Sequence, residues 1–256
     1  MNKIIESTEI IWPASISEVP KEVFVREDVF EKEIERIFMG AQWHPVAMEA
    51  EIPNIGDFKT FDLGRSPLLI TRGKDNTIRA FFNACTHRGT QLETEVRGNR
   101  SAFKCPYHSW MFNLQGDLAG CPGIDEFKPG FEKSDYRLNG LRVEIFCGIV
   151  FVTASEEAPD LLDWLGQRPA ETIKDALGGG RPLEVLGYQK TLYSSNWKAY
   201  ADNDGYHPPL LHAAFRLLGW QGGAGEQYAT ENGHGGVESQ LKRATDNGFL
   251  NDFSLI

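Results

Sequence analysis

The sequence has few cysteines, a deficit of positive charge and no long apolar run, and each of these scarcities narrows the class of protein. Only four cysteines occur in 256 residues. Two of them, Cys121 and Cys147, lie far from any pairing pattern, so a reducing compartment would keep them as thiols. The 36 acidic residues outnumber 26 basic ones, which argues against nucleic-acid binding, because that requires clustered Lys and Arg.

Membrane insertion and secretion are also disfavoured. No run approaches the roughly 20 apolar residues of a membrane helix. Glu6 and Glu9 stand where the apolar part of a signal peptide would lie. We therefore expect a cytoplasmic protein with no membrane contact, and 41% hydrophobic residues are enough for a packed core.

The other two cysteines stand beside histidines, as Cys85-Thr-His87 and Cys105-Pro-Tyr-His108. Thiolates next to imidazoles suit zinc, copper or iron–sulfur chemistry, and two compact pairs brought together make a four-ligand site. Structural zinc fingers usually pair Cys with Cys and His with His along the chain. In a Rieske [2Fe–2S] centre two cysteines hold one iron and two histidines the other, so mixed pairs on two adjoining loops are required. The spacing favours a Rieske cluster and leaves structural zinc as the alternative.

The local patterns predict a helix followed by a small antiparallel β domain. Residues 1–25 predict an irregular arm, and apolar residues at helical spacing predict an amphipathic helix over 26–39. Short apolar runs between turn signals, among them Arg97-Gly98-Asn99, then predict strands. The predicted strands are 68–70, 78–81, 102–104, 110–112 and 141–152.

The second half of the chain changes character. Residues 155–180 predict helices that end at three glycines, 178–180. Residues 183–192 predict a strand, and the glycine-rich segment 222–236 predicts a loop. We predict three parts: an N-terminal arm and helix over 1–40, a metal-binding β domain over 41–155, and a further, partial domain over 156–256.

A second group of metal-ligand residues follows as Asp204-Gly-Tyr-His207-Pro-Pro-Leu-Leu-His212. Two imidazoles and one carboxylate are the ligands of non-haem Fe(II) oxygenases. Five residues along an unbroken helix separate side chains by about 140°, but a residue before proline leaves the α region. His207 can therefore precede a helix that carries His212. The alternative is a helix start with a structural histidine.

Together the two motifs resemble those of the α subunits of Rieske non-haem iron oxygenases of the aromatic ring-hydroxylating type. The resemblance rests on Cys-x-His-Arg-Gly, Cys-Pro-x-His and, after Asn196-Trp-Lys, Asp-x-x-His-x4-His. It implies a [2Fe–2S] cluster and a mononuclear Fe(II). The implied cluster ligands are Cys85, His87, Cys105 and His108, and the implied iron ligands are His207 and His212.

The resemblance also assigns Asp204 to a bridge between an iron histidine and a cluster histidine of the neighbouring subunit. Asp202 competes for that role, because Asn203 and Asp204 are adjacent here. Respiratory Rieske proteins carry an additional cysteine in each loop, where this chain has Thr90 and Tyr107. The family's third iron ligand is a carboxylate far downstream of the histidines, and we expect this chain to lack it.

The implied fold is α+β: an all-β Rieske domain followed by the first part of a helix-grip catalytic domain. The implied activity is that of a terminal oxygenase, which uses O2 and NAD(P)H-derived electrons to hydroxylate an organic, most often aromatic, substrate. The implied partners are a reductase, a ferredoxin in some systems, and two further copies in a homotrimer, with or without β subunits. Two alternatives remain: a monooxygenase or demethylase for quaternary ammonium or methylated compounds, and a pure electron-transfer protein.

Overall fold

The computed structural model describes residues 9–15, 18–127, 129–201 and 225–239. These residues form two compact units. The first unit combines the chain up to Trp164 with Ile173–Lys190, and the second combines Leu165–Thr172 with the described residues from Thr191 onward. Within the described ranges, no helix is both long and apolar enough to cross a bilayer.

The first unit is built on an antiparallel seven-stranded sheet. Its strands are β1 (His44–Met48), β2 (Asp57–Leu63), β3 (Ser66–Arg72), β4 (Ile78–Phe82), β5 (Arg97–Asn99), β9 (Gly140–Phe146) and β10 (Ile149–Thr153). They lie in the order β1-β10-β9-β4-β3-β2-β5. Three of its connections are short hairpins, β2–β3, β3–β4 and β9–β10, as the predicted turn signals require. The one at Cys147-Gly148 places both residues at positive φ, 50° and 79°.

The core of this sheet comes from β-branched and leucine side chains on one face. Leu68, Ile70, Val150 and Val152 are fully buried there, together with Ile52 from the connection after β1. At an edge of the sheet, β1 pairs with β10 through a register shift between Pro45 and Ala47.

A second, three-stranded sheet completes the first unit. It comprises β6 (Phe103–Lys104), β7 (Met111–Phe112) and β8 (Leu118–Gly120), in that order. These strands are very short, and their side chains are buried with those of the loops beside them. The small sheet presents the second Cys/His segment, because β6 ends directly before Cys105 and β7 begins directly after Trp110.

The helical predictions hold with adjusted ends. Helix α2 (Glu27–Glu33) continues into a π-helical turn, Ile34–Phe38. Arg65, in the β2–β3 turn, pairs with Glu27 and Glu31 of this helix and covers the Phe30 ring. Helices α3 (Leu161–Leu165) and α4 (Gln167–Ala176) follow, and the chain turns at Gly178–Gly180 as predicted.

Four predictions were wrong in detail. The arm contains a short helix, α1 (Glu22–Val25). Arg97–Asn99 forms strand β5, because it pairs with β2. Residues 183–192 are irregular, since none of the described strands pairs with them. The glycine-rich segment contains a hairpin of β11 (Gly225–Ala229) and β12 (Gly235–Ser239), with His234 in its turn.

Candidate metal centre

The first Cys/His segment is a tight loop that follows β4. The Cys85 N–H donates to the Thr90 carbonyl at 2.8 Å, and the Gly89 N–H donates to the Cys85 carbonyl at 2.7 Å. Gly89 lies in the left-handed region, with φ of 71°, which glycine adopts without steric cost. These bonds turn the chain sharply and bring His87 onto the same side as the cysteine.

The second Cys/His segment has the same backbone. The Cys105 N–H donates to the Trp110 carbonyl at 2.7 Å, and the Ser109 N–H donates to the Cys105 carbonyl at 3.0 Å. Ser109 takes the left-handed conformation, with φ of 59°. The two loops are therefore equivalent position by position from the cysteine onward, although their sequences share only that cysteine. The histidine is third in the first loop and fourth in the second.

The two loops bring like residues together. Cys85 and Cys105 pack in one buried cluster, close enough for Cys105 to raise the pKa of the Cys85 thiol, and both cysteines are 2% exposed without forming a disulfide. The rings of His87 and His108 meet edge to face, with centroids 4.7 Å apart. The arrangement is thus two thiols beside two imidazoles. That is the division of ligands that a Rieske cluster requires, with one iron held by sulfur and the other by nitrogen.

The imidazole nitrogens give an independent test of this fit. Nδ1 of His87 and Nδ1 of His108 are buried, and neither has a hydrogen-bond partner among the described residues. Buried polar atoms are nearly always satisfied, so two adjacent orphans need an explanation. A metal bound through both nitrogens would satisfy them. In the described ranges, no group of three or more His, Cys, Asp or Glu residues is arranged to hold a single metal ion, and the four residues form two pairs instead.

Burial shifts the pKa values of a cysteine and a histidine of the site toward their neutral forms. Burial raises the pKa of the Cys85 thiol, and the neighbouring Cys105 raises it further, against backbone N–H groups of His87 and Arg88 that hydrogen-bond the sulfur. Partial burial lowers the pKa of His87, and the nearby His108 and Arg88 act in the same direction. A neutral imidazole is the form that binds a metal. The thiol would lose its proton when the metal binds.

Aromatic side chains cover the site. The Trp110 ring stacks on His87 at 4.8 Å with an angle of 8° between the rings, and it is 3% exposed. Phe127, Phe131 and Tyr136 surround its other edges. The ring centroids of Tyr107 and His108 are 3.7 Å apart, but Tyr107 is 60% exposed. Trp110 is therefore a buried shield, whereas Tyr107 is an outer one.

Two residues that hold the first loop were not evident from the sequence. Asn83 is fully buried; its carbonyl oxygen accepts from the Leu92 and Glu93 N–H groups at 3.1 and 3.0 Å, and its amide donates to the Glu93 carbonyl at 2.7 Å. The Thr86 hydroxyl donates to the Tyr136 carbonyl at 2.8 Å. Asn83 thereby ties the chain before Cys85 to the chain after the loop. Its position at the end of an apolar strand was the only sequence signal.

The described residues end just before the second motif, at Ala201, and resume after it. Helix α5 (Trp197–Ala201) begins after Asn196, whose side-chain oxygen accepts from the Lys198 N–H at 3.0 Å, as an N-cap does. Asp204, His207 and His212 lie outside the described residues, as do Asp202 and Asn203. Their roles stay predictions.

Comparison with known proteins agrees with this geometry. Residues 42–137 match the Rieske [2Fe-2S] domain family. The chain is 40% identical over 204 residues to the anthranilate 1,2-dioxygenase large subunit of Burkholderia cepacia, a match that covers 77% of this chain and 48% of that protein.

Solved structures extend the likeness to the fold. Naphthalene 1,2-dioxygenase from Rhodococcus sp., bound to indole, superposes with a TM-score of 0.74 at 30% identity, covering 87% of this chain and 53% of that one. A quaternary ammonium Rieske monooxygenase superposes with a TM-score of 0.73 at 32% identity, covering 82% and 58%.

The chain spans about half the length of the curated relatives it matches. The paired loops, the family match and the likeness of fold agree with one another. The protein carries a Rieske [2Fe–2S] domain and belongs to the family of Rieske non-haem iron oxygenase α subunits.

Proposed function

We propose that Cys85, His87, Cys105 and His108 hold a [2Fe–2S] cluster that supplies electrons to an oxygenase reaction. The single observation that supports this most strongly is the pairing of thiol with thiol and imidazole with imidazole, where both imidazole Nδ1 atoms are buried without a partner. A structural zinc site also satisfies four ligands. It gives no reason for like residues to be paired, whereas two irons with different ligands do.

The chain's own residues would divide the work as follows. The two cysteines and two histidines orient the cluster, and Trp110 excludes water from the His87 side. Beyond the described residues, His207 and His212 would hold a mononuclear iron. Asp204 would join one of them to a cluster histidine of a neighbouring subunit and so fix both rings. When bound, the cluster passes on single electrons and the mononuclear iron activates O2 beside the substrate.

These proposed roles imply which partner proteins the chain needs. Electrons from NAD(P)H would arrive through a reductase, directly or by way of a ferredoxin. A bridge between subunits requires at least two copies, and three copies in a ring close the arrangement, with β subunits as a further component. The proposed substrate is an aromatic compound, hydroxylated or cis-dihydroxylated. Support comes from two relatives, an anthranilate 1,2-dioxygenase and a naphthalene 1,2-dioxygenase.

A second candidate activity is monooxygenation of a quaternary ammonium compound. It is favoured by the likeness to a quaternary ammonium Rieske monooxygenase, whose TM-score of 0.73 is close to that of the naphthalene enzyme. Substrate-dependent O2 uptake by the intact α subunit with its reductase distinguishes the two candidate activities. Aromatic carboxylates and arenes would stimulate uptake in the first case, and carnitine-like cations in the second.

The cluster assignment is tested with two cysteine variants. Cys85→Ser should abolish the visible absorption and the EPR signal of the reduced cluster. Cys121→Ser is the matched control, because Cys121 is a partly buried free cysteine outside both loops, and it should retain both signals. A colourless wild-type protein containing stoichiometric zinc, or an unchanged EPR spectrum in Cys85→Ser, would overturn the assignment.

The mononuclear site is tested by iron content and single-turnover kinetics. The intact α subunit should hold about three irons, two of them in the cluster, and His207→Ala should lose one of the three. Asp204→Asn should keep all three and slow the oxidation of the reduced cluster in the presence of substrate. Asp202→Asn is the control for Asp204→Asn. A slow Asp202→Asn with a normal Asp204→Asn would move the bridge to Asp202. An iron content of two that His207→Ala leaves unchanged would point to a pure electron-transfer protein.

A further inference from the structure

The equivalence of the two loops identifies two positions beside the imidazoles that carry no metal ligand. His87 is the third residue of the first loop, and the third residue of the second loop is Tyr107. His108 is the fourth residue of the second loop, and the fourth residue of the first loop is Arg88. The two loops share their backbone hydrogen bonds and have a left-handed fifth residue. Arg88 in the first loop therefore occupies the backbone position that His108 occupies in the second loop.

Arg88 brings a positive charge to this place. Arg88 acts on both neighbouring ligand residues: its backbone N–H lowers the pKa of the Cys85 thiol, and its charge lowers the pKa of the adjacent His87. Its side chain is exposed, and no carboxylate among the described residues forms an ion pair with it. Several other arginines of the same unit do form ion pairs, as Arg79 does with Asp75, Arg100 with Glu93 and Arg137 with Asp117. The charge of Arg88 is therefore not offset by an acidic partner within the described chain.

An uncompensated cation beside the cluster has a defined electrostatic effect. The oxidised cluster is held by two thiolates and two neutral imidazoles, and reduction adds one electron and so one negative charge. A nearby positive charge stabilises the reduced form more than the oxidised form. Net charge and solvent exposure are among the factors that set the potential of iron–sulfur centres. Tyr107, at the other non-ligand position, is neutral and adds no such bias.

We propose that Arg88 sets the reduction potential of the cluster, which it raises by placing beside His87 a guanidinium that no carboxylate of the described residues pairs with. This inference rests on the proposed cluster and adds to it a residue that contacts no metal. The chain thus keeps the cluster reducible by its electron donor even though the net charge of −10 disfavours a further negative charge.

The test measures the midpoint potential in the intact holoprotein by a titration followed through the cluster absorbance and EPR. Arg88→Gln should lower the potential, Arg88→Glu should lower it further, and Arg88→Lys should leave it near the wild-type value. Lys74→Gln is the matched control. It removes the same charge from an exposed residue in the β3–β4 turn, at the end of β4 opposite the first loop, and it should leave the potential unchanged.

Salt supplies a second readout. Because Arg88 is exposed, added salt should shrink the difference between wild type and Arg88→Gln, whereas a change in packing would persist at high ionic strength. The EPR g-values and iron content should stay constant across the series. Equal potentials in wild type and Arg88→Glu, with the cluster intact, would overturn the role of Arg88 and leave the cluster assignment standing. A wild-type protein without a cluster would instead overturn the proposed function.

Discussion

Asn83→Ala removes three buried hydrogen bonds from the base of the first loop. Two of them satisfy the N–H groups of Leu92 and Glu93, and the third goes to the Glu93 carbonyl, which also accepts from the Gln91 amide. A typical hydrogen bond contributes about 1 kcal/mol net, and a buried group left unsatisfied costs about 1 to 3 kcal/mol. We therefore expect Asn83→Ala to lower the free energy of unfolding by about 3 to 5 kcal/mol.

The matched control is Asn99→Ala. The Asn99 amide also bonds a backbone carbonyl and a side chain, at 2.9 Å to Ile55 and 2.8 Å to Asp57, but these bonds are exposed. Water can replace the lost partners there, so the expected cost is below about 1 kcal/mol. The comparison isolates burial, since residue type and substitution are the same.

The assay is urea denaturation of the holoprotein, followed by far-UV circular dichroism and by the cluster absorbance. With a slope of about 1 to 3 kcal/mol/M for a protein of modest size, Asn83→Ala should lower the midpoint by about 1 to 5 M. Its cluster should also bleach sooner than its helices unfold, because the loop ends are no longer tied. Midpoints for the two variants within about 0.3 M of each other would refute the argument from burial.

Three further predictions concern the same loops and strand β1. Gly89→Ala should lower the free energy of unfolding by about 1 kcal/mol, because alanine disfavours a φ of 71°. Ser109→Gly should raise the free energy of unfolding by up to about 1 kcal/mol. Thermal denaturation of the two variants checks both signs. Trp110→Ala should cost about 3 to 5 kcal/mol and accelerate cluster loss in air, measured as bleaching, whereas Trp110→Phe should do so less. Burial lowers the pKa of His44, so the unfolded state binds the proton more readily and stability should fall as pH drops below about 6.5; a pH series of urea midpoints should show a shallower fall in His44→Gln.

The sequence was most informative where chemistry is local. The spacing of two Cys/His pairs indicated the cluster site, and the structure brings all four residues together. Helix α2 and strand β4 were foreseen because their apolar residues repeat at the spacing of one element. Each of these features depends on residues that are close in the sequence, so short-range sequence patterns predict it.

What the sequence could not supply depends on distant partners. Arg97–Asn99 has the composition of a turn, and only pairing with β2, whose Lys59 lies opposite Arg97, makes it a strand. The apolar pattern over 183–192 predicted a strand that finds no pairing strand among the described residues. Asn83 looked like a polar residue at a strand end, yet it is fully buried because Leu92 and Glu93 supply its partners.

The equivalence of the loops was hidden for a similar reason. Their third to sixth residues differ at every position. They match only in which carbonyl each N–H meets and in the left-handed conformation of Gly89 and Ser109. A sequence comparison cannot find such a repeat, because the two loops share backbone hydrogen bonds and dihedral angles while their side chains differ.

The edges of the seven-stranded sheet carry a consequence for solubility. A terminal strand offers unpaired N–H and C=O groups that can recruit a strand from another molecule. Here one terminal strand, β5, is only three residues long and the other, β1, contains Pro45 and a register shift. Proline donates no hydrogen bond and the shift bends the strand, so neither edge is a long, flat template. The sheet that presents the first cluster loop is thereby protected against edge-to-edge aggregation without needing a covering element at either end.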